Sequence, residues 1–152
     1  MSNKGYTEYH AAQIDFMKVL GAKNIAEPFS FNMNHIFETI GGMKTAQEFV
    51  NMPKNLANEL ISRKDYPANI ETFATAMGTI FNYYGRRSIC KMYATDYNDD
   101  TDTSVLAGFL GQETVKVLDE FMLGWFDVGK VSLIDTLYGQ MIVALTRRNK
   151  LV

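Results

Sequence analysis

Apolar residues recur along most of this chain at the three- and four-residue spacing that gives an α-helix one apolar face. Tyr6, Tyr9, Gln13, Phe16, Met17 and Leu20 predict a first amphipathic helix, which Gly21 ends. A connector containing Pro28 follows, and Ser30 is expected to cap a short helix carrying Phe31, Asn34, Ile36 and Phe37, closed by Gly41 and Gly42. Thr45 and Glu48 have capping-box spacing, so another helix starts there. Pro53 lacks an amide hydrogen and clashes with the preceding turn, which divides this region into predicted helices near 45–51 and 53–63.

Asp65, Tyr66 and Pro67 read as a turn whose proline opens the next helix. Its apolar stripe is Ile70, Phe73, Ala74, Met77, Ile80, Phe81 and Tyr84, ending at Gly85. Residues 86–95 suit either a short helix or an extended stretch, and residues 96–103 read as a loop. Leu106, Phe109, Leu110, Val117, Leu118, Phe121, Met122 and Trp125 predict a central apolar helix near 104–126. Glycines 108, 111 and 124 weaken it and leave a break near Gly111 open. A last amphipathic helix near 132–149 is capped by Ser132 and carries Leu133, Ile134, Leu137, Tyr138, Met141, Ile142 and Leu145. Its basic end suits the negative pole of a helix dipole. The expectation is a single all-α domain, residues 1–152, built as a bundle of about six or seven helices.

Composition agrees with a globular chain: 152 residues, 47% apolar and 21% charged. One cysteine, Cys90, excludes an internal disulfide, and no glycosylation sequon occurs, so a cytoplasmic setting is expected. The longest uncharged stretch, residues 72–85, is too short and polar to span a membrane. The first 20 residues lack the apolar run of a signal peptide. The net charge of −2 conceals an uneven layout. Residues 1–42 carry −1, residues 43–95 carry +3, residues 96–135 carry −7 and residues 136–152 carry +3. Such blocks predict pairing of the acidic stretch with Arg86, Arg87 and Lys91 and with Arg147 and Arg148 of the tail, within or between chains.

Several chemical motifs begin and then fail. Gly124, Gly129 and Lys130 start a phosphate-loop pattern, but Val131 replaces the magnesium-binding Ser/Thr, and Trp125 and Phe126 fill space a phosphate needs. Asp96, Asn98, Asp100 and Asp102 alternate like the opening of a calcium loop, yet Thr101 stands at the glycine position and Ala107 at the bidentate glutamate. A solvated acidic loop whose last Asp or Thr caps the following helix is the preferred reading. His35 and Glu38 reverse the Glu-x-x-His order of a di-metal site and occur once; His10 is the other histidine. Cys90 lacks a neighbouring base and reads as a buried thiol. No metal, no cofactor and no catalytic residues are therefore expected, and the chain is read as no enzyme. A pocket lined by two or more of Glu113, Asp119, Glu120, His10 and His35 would reverse that reading.

A DNA-binding alternative rests on residues 45–64. They can be laid on a helix-turn-helix with Met52 in the turn and Lys54, Asn55, Asn58, Arg63 and Lys64 outward. Gln47 and Asn51 replace the small helix residue and the turn glycine of that motif, and Glu48 and Glu59 oppose phosphates. The third class is a small-molecule enzyme whose site carries no motif.

Ten Phe, eight Tyr and nine Met exceed the needs of one compact bundle, and these types are enriched at protein interfaces. Candidate interface residues are Tyr6, Tyr9, Tyr83, Tyr84, Arg86, Arg87, Arg147 and Arg148. In size and helical make-up the chain is similar to the small ring-forming adaptor proteins at phage portal vertices, a resemblance of fold class that implies a virion location and a structural role. The leading expectation is a non-enzymatic interaction subunit of a larger assembly. Its expected partner is protein, as homo-oligomer or multi-protein complex, with nucleic acid ranked second and no membrane.

Overall fold

In the computed structural model the described residues are 30–33, 45–99 and 102–122, together with positions 11, 14, 15, 18 and 143. They are mainly helical, with no strand among them. Among these residues four helices are described: α1, Ala46–Ile61; α2, Ile70–Tyr93; α3, Ser104–Leu110; and α4, Gln112–Met122. No helix among the described residues is long and apolar enough to cross a membrane. Most of the first predicted helix and of the C-terminal helix near 132–149 lies outside the described residues.

The Thr45 side chain accepts a hydrogen bond from the Glu48 amide at 3.1 Å and so starts α1 where the spacing placed a helix. The expected division at Pro53 does not occur, because α1 runs through it unbroken. A proline at this position deprives the Phe49 carbonyl of its helical partner four residues on. Arg86 of α2 fills the vacancy: its Nη1 donates to the Phe49 oxygen at 3.1 Å, and its guanidinium lies 4.5 Å from the centre of the Phe49 ring. The substitute comes from a residue 37 positions away. No local pattern could announce it.

Between the helices lies a cis Tyr66-Pro67 peptide. α2 then opens at Ile70 rather than at Pro67, on a capping box in which Asn69 Oδ1 accepts from the Thr72 amide at 2.9 Å and Thr72 Oγ1 accepts from the Asn69 amide at 3.2 Å. The helix passes Gly85 and continues to Tyr93, which resolves residues 86–93 as helix. Over its second half it is buried nearly all round, at Tyr83, Tyr84, Gly85, Arg87, Ser88, Ile89 and Cys90. α2 therefore occupies the centre that the apolar pattern assigned to 104–126. That stretch is instead broken at Gly111, whose φ of 93° favours glycine, and Val105 of α3 is 44% exposed.

The core joins Phe49, Val50 and Ala57 of α1 to Phe73, Met77, Ile80, Phe81 and Tyr84 of α2, with Leu106, Leu110 and Val115 from the later helices. Residues 31–33 close another side. Phe31 is not helical as expected but pairs as an isolated parallel bridge with Ala94, its amide donating to Tyr93 O at 2.9 Å and its oxygen accepting from Thr95 N at 2.8 Å. Asp96 fastens this junction, its carboxylate accepting from the amides of Met33 at 3.3 Å and Ala46 at 3.4 Å.

Because Arg86 replaces the amide that Pro53 lacks, the two residues are energetically coupled. Arg86→Met is expected to cost roughly 1–3 kcal/mol in the natural chain, the loss of a charged hydrogen bond to the Phe49 carbonyl. In a Pro53→Ala background the cost falls by about 1 kcal/mol or more, since the helix regains its own hydrogen bond. Urea titration of the four proteins in this double-mutant cycle measures the coupling, and simple additivity would contradict it.

Candidate functional site

Two features stand out on the described surface, one charged and one apolar. The charged feature is built around Arg87 on α2, a buried guanidinium whose side chain is only 8% exposed. Its Nε and Nη2 donate to the two oxygens of Asp99 at 2.7 and 3.2 Å, and its Nη1 donates to Asp119 of α4 at 2.7 Å. Lys91 Nζ lies 3.0 Å from Asp99 Oδ2, and the Tyr97 hydroxyl donates to Asp99 Oδ1 at 3.0 Å. Burial works against the charge on Arg87, but hydrogen bonds to Asp99 and the adjacent carboxylates outweigh it and hold the group protonated. Burial likewise opposes the charge on Asp99, and the donors around it prevail, so its carboxyl stays below the usual range. Beside the cluster a cavity of about 410 Å³ is lined by Arg87, Lys91, Gln112, Lys116 and Asp119.

For Arg87 and Lys91 this is the pairing expected between the basic block and the acidic stretch, realised inside one chain; among the described residues Arg86 does not share in it. Asp99, ionised, is taken up by donors from Arg87, Lys91 and Tyr97. Burial, reinforced by Asp119, pushes the Tyr84 phenol up. Burial and then Asp96 push the Cys90 thiol up, against a smaller opposing effect of Arg86, leaving an unreactive sulfur.

Asp96, Asp99 and Asp102 of the acidic loop turn to different partners, and Asp100 lies outside the described residues. Asp96 turns to the Met33 and Ala46 amides, Asp99 to Arg87, and Asp102 to the Ser104 amide at 2.8 Å, just ahead of α3, whose N-cap residue Thr103 makes no side-chain capping bond. Among the described residues no group of three or more His, Cys, Asp and Glu could hold a metal. Of the carboxylates whose clustering would have favoured an enzyme, Asp119 is paired with Arg87 and Glu113 is exposed. His10, His35 and the Gly124-to-Lys130 motif lie outside the described residues.

The apolar feature is a groove of about 410 Å³ between α1 and α2. Met52 and Leu56 stand on its α1 wall, 49% and 48% exposed. Gly78 and Asn82 line the α2 side, and Arg86 lines one end. A Cβ on Gly78 would meet nothing within 4 Å. Arg86 is half-buried, and desolvation lowers its pKa; among the described residues no carboxylate forms an ion pair with it.

Of the interface candidates, Tyr83 and Tyr84 are corrected: both are fully buried and packed edge to face, with ring centres 4.9 Å apart. Neighbouring helix positions point about 100° apart, so burying both requires packing on two sides of α2, which it has. Arg87 is also interior, Arg86 borders the groove, and Tyr6, Tyr9, Arg147 and Arg148 lie outside the described residues.

The helix-turn-helix laid over residues 45–64 is corrected too, because α1 has no turn at Met52. Lys54 donates to the Asp102 carbonyl at 3.3 Å, Arg63 pairs with Glu59 at 3.2 Å, Asn58 is half-buried, and Asn55 and Lys64 are exposed. The sequence reading missed Leu56 and Gly78 and put Met52 in a turn. The available signal was the Met52 and Leu56 pair at i, i+4, offset from the buried stripe of Phe49, Pro53 and Ala57.

Comparison with known proteins finds no family model that matches, and no curated protein or solved structure with significant similarity.

Asp99 has a depressed pKa, so its contribution to stability is present above the ordinary value of 3.8 and is lost as pH falls through the lower folded value. Asp99→Asn is expected to lose about 3 kcal/mol at neutral pH, since the Arg87 guanidinium keeps one carboxylate of two. Its stability should also fall less steeply in acid than that of the natural chain, as measured by denaturant titration across pH. A second expectation concerns Cys90: iodoacetamide should alkylate it only as fast as the protein opens, and rapid labelling of the native protein would contradict its burial.

Proposed function

We propose that this protein is a non-enzymatic structural subunit that joins other protein chains through the groove between α1 and α2. The carrying observation is that Met52 and Leu56 leave about half of each residue in water beside an open cavity that ends at Arg86, a cation with no carboxylate partner among the described residues. Apolar residues rimmed by polar ones are the usual composition of a contact face. The charge cluster supports the same reading from the other side, because its carboxylates serve to hold α2, the acidic loop and α4 together rather than to perform chemistry.

In this reading the whole chain is one all-α domain of about six or seven helices, working in the cytoplasm or in a virion as an adaptor-like member of a homo-oligomer. Duplex DNA is not its partner, since the basic side chains of α1 are either engaged with the acidic loop and Glu59 or scattered along one continuous helix.

Sedimentation over a range of concentrations is expected to give a mass above the 17.2 kDa monomer. Leu56→Asp should return the mass toward the monomer without lowering the melting temperature, because the side chain is exposed. Added duplex DNA should leave the mass unchanged. A strictly monomeric natural chain, an unaffected Leu56→Asp protein or a DNA-dependent mass increase would each contradict the proposal.

A further inference from the structure

A concave surface is not its own complement. If two copies met groove to groove across a two-fold axis, both cavities would stay empty and two desolvated Arg86 groups would be brought toward each other. The occupant must instead be an exposed element that offers apolar surface and a negative charge together. Among the described residues, the start of α3 meets that requirement. Asp102, Ser104 and Val105 are all exposed there, and Val105 is one of the few large apolar side chains left in water, at 44%. Asp102 stays ionised, because the Ser104 backbone amide and then its side chain hold the carboxyl below the usual range. The corner belongs to the segment that carries −7, and the groove to the segment that carries +3.

The corner does not reach the groove of its own chain. Gln47 and Lys54 of α1 hold the acidic loop, donating to the carbonyls of Asn98 at 3.0 Å and Asp102 at 3.3 Å. Met52 and Leu56 each stand two residues from Lys54, about 200° round the helix. Loop and groove thus lie on opposite flanks of α1. Complementary patches on opposite flanks of one subunit are what a head-to-tail contact requires, and such contacts propagate into a ring where the rotation closes and a filament where it does not.

We infer that the groove between α1 and α2 receives the Asp102 and Val105 corner of a second copy, with Asp102 facing Arg86 and Val105 against Met52 and Leu56. This rests on the groove being the contact face and adds what fills it and in which sense the chains are joined.

The test uses two variants of the full chain that block opposite halves of the contact. Gly78→Leu fills the groove, where a side chain has open space in the monomer. The double variant Asp102→Asn with Val105→Asp alters the corner while keeping an oxygen to cap the Ser104 amide. Thermal melts confirm that both remain folded. Sedimentation is expected to find each variant monomeric alone, and an equimolar mixture should form a species of about twice 17.2 kDa and nothing larger, because one live groove meets one live corner. Asp102→Asn alone should weaken association of the otherwise natural chain roughly tenfold at low salt and less at high salt. A mixture that stays monomeric, or a corner variant that associates like the natural chain, overturns the inference. If Gly78→Leu abolishes association while the corner variant does not, the groove remains the contact face and only the proposed occupant fails. If neither variant changes association, both proposals fail.

Discussion

A guanidinium buried among helices is tolerable only when its charge and its hydrogen-bond donors are met, and Arg87 imposes that condition on this fold. Both of its principal partners come from elsewhere in the chain: Asp99 from the loop that follows α2, and Asp119 from α4. An unpaired charge at this position would cost several kcal/mol, so the loop and α4 are held where the carboxylates can reach it. Lys91 and Tyr97 then fix Asp99 from the outside. The arrangement turns an irregular acidic segment into a strut, with Asp96 anchoring its first part to residue 33 and the start of α1, and Asp102 bonded to the Ser104 amide just ahead of α3.

Helix content was legible because it depends on spacing within a few residues. The stripe of Phe73, Met77, Ile80, Phe81 and Tyr84 faces the core, and Thr45 caps α1. What was not legible depends on residues far apart in the chain. Pro53 reads as a break until Arg86 is brought to the Phe49 carbonyl, and Gly85 reads as a stop until neighbours bury the second half of α2. The error at Tyr83 and Tyr84 has the same origin. A pattern with aromatics on two faces describes an interface helix and a central helix equally well, and only packing separates them. The apolar run from 104 was assigned the centre on its composition, yet Gly111 breaks it, and among the described residues it is α2 that is buried nearly all round.

Of the candidate site, the charge pairing could be anticipated from the alternation of basic and acidic blocks, which constrains which regions meet but not which atoms. The groove could not. Its walls come from two helices, and Met52 and Leu56 look like ordinary members of an amphipathic helix until α2 is seen to cover the adjacent stripe and leave theirs open. The two features divide the labour of the surface. Polar groups on one flank of α1 are spent on holding the loop, while the other flank keeps apolar side chains in water.

The proline inside α1 also bears on how this sequence can change over generations. As long as residue 53 is proline, position 86 is confined to long side chains able to donate to the Phe49 oxygen. Once residue 53 acquires an amide, that restriction relaxes, and arginine at 86 can drift unless something else requires it. The two positions should therefore covary among any relatives, with proline at 53 rarely found without a donor at 86. Retention of the arginine after the proline has gone would mark the positions where it serves the groove rather than the helix.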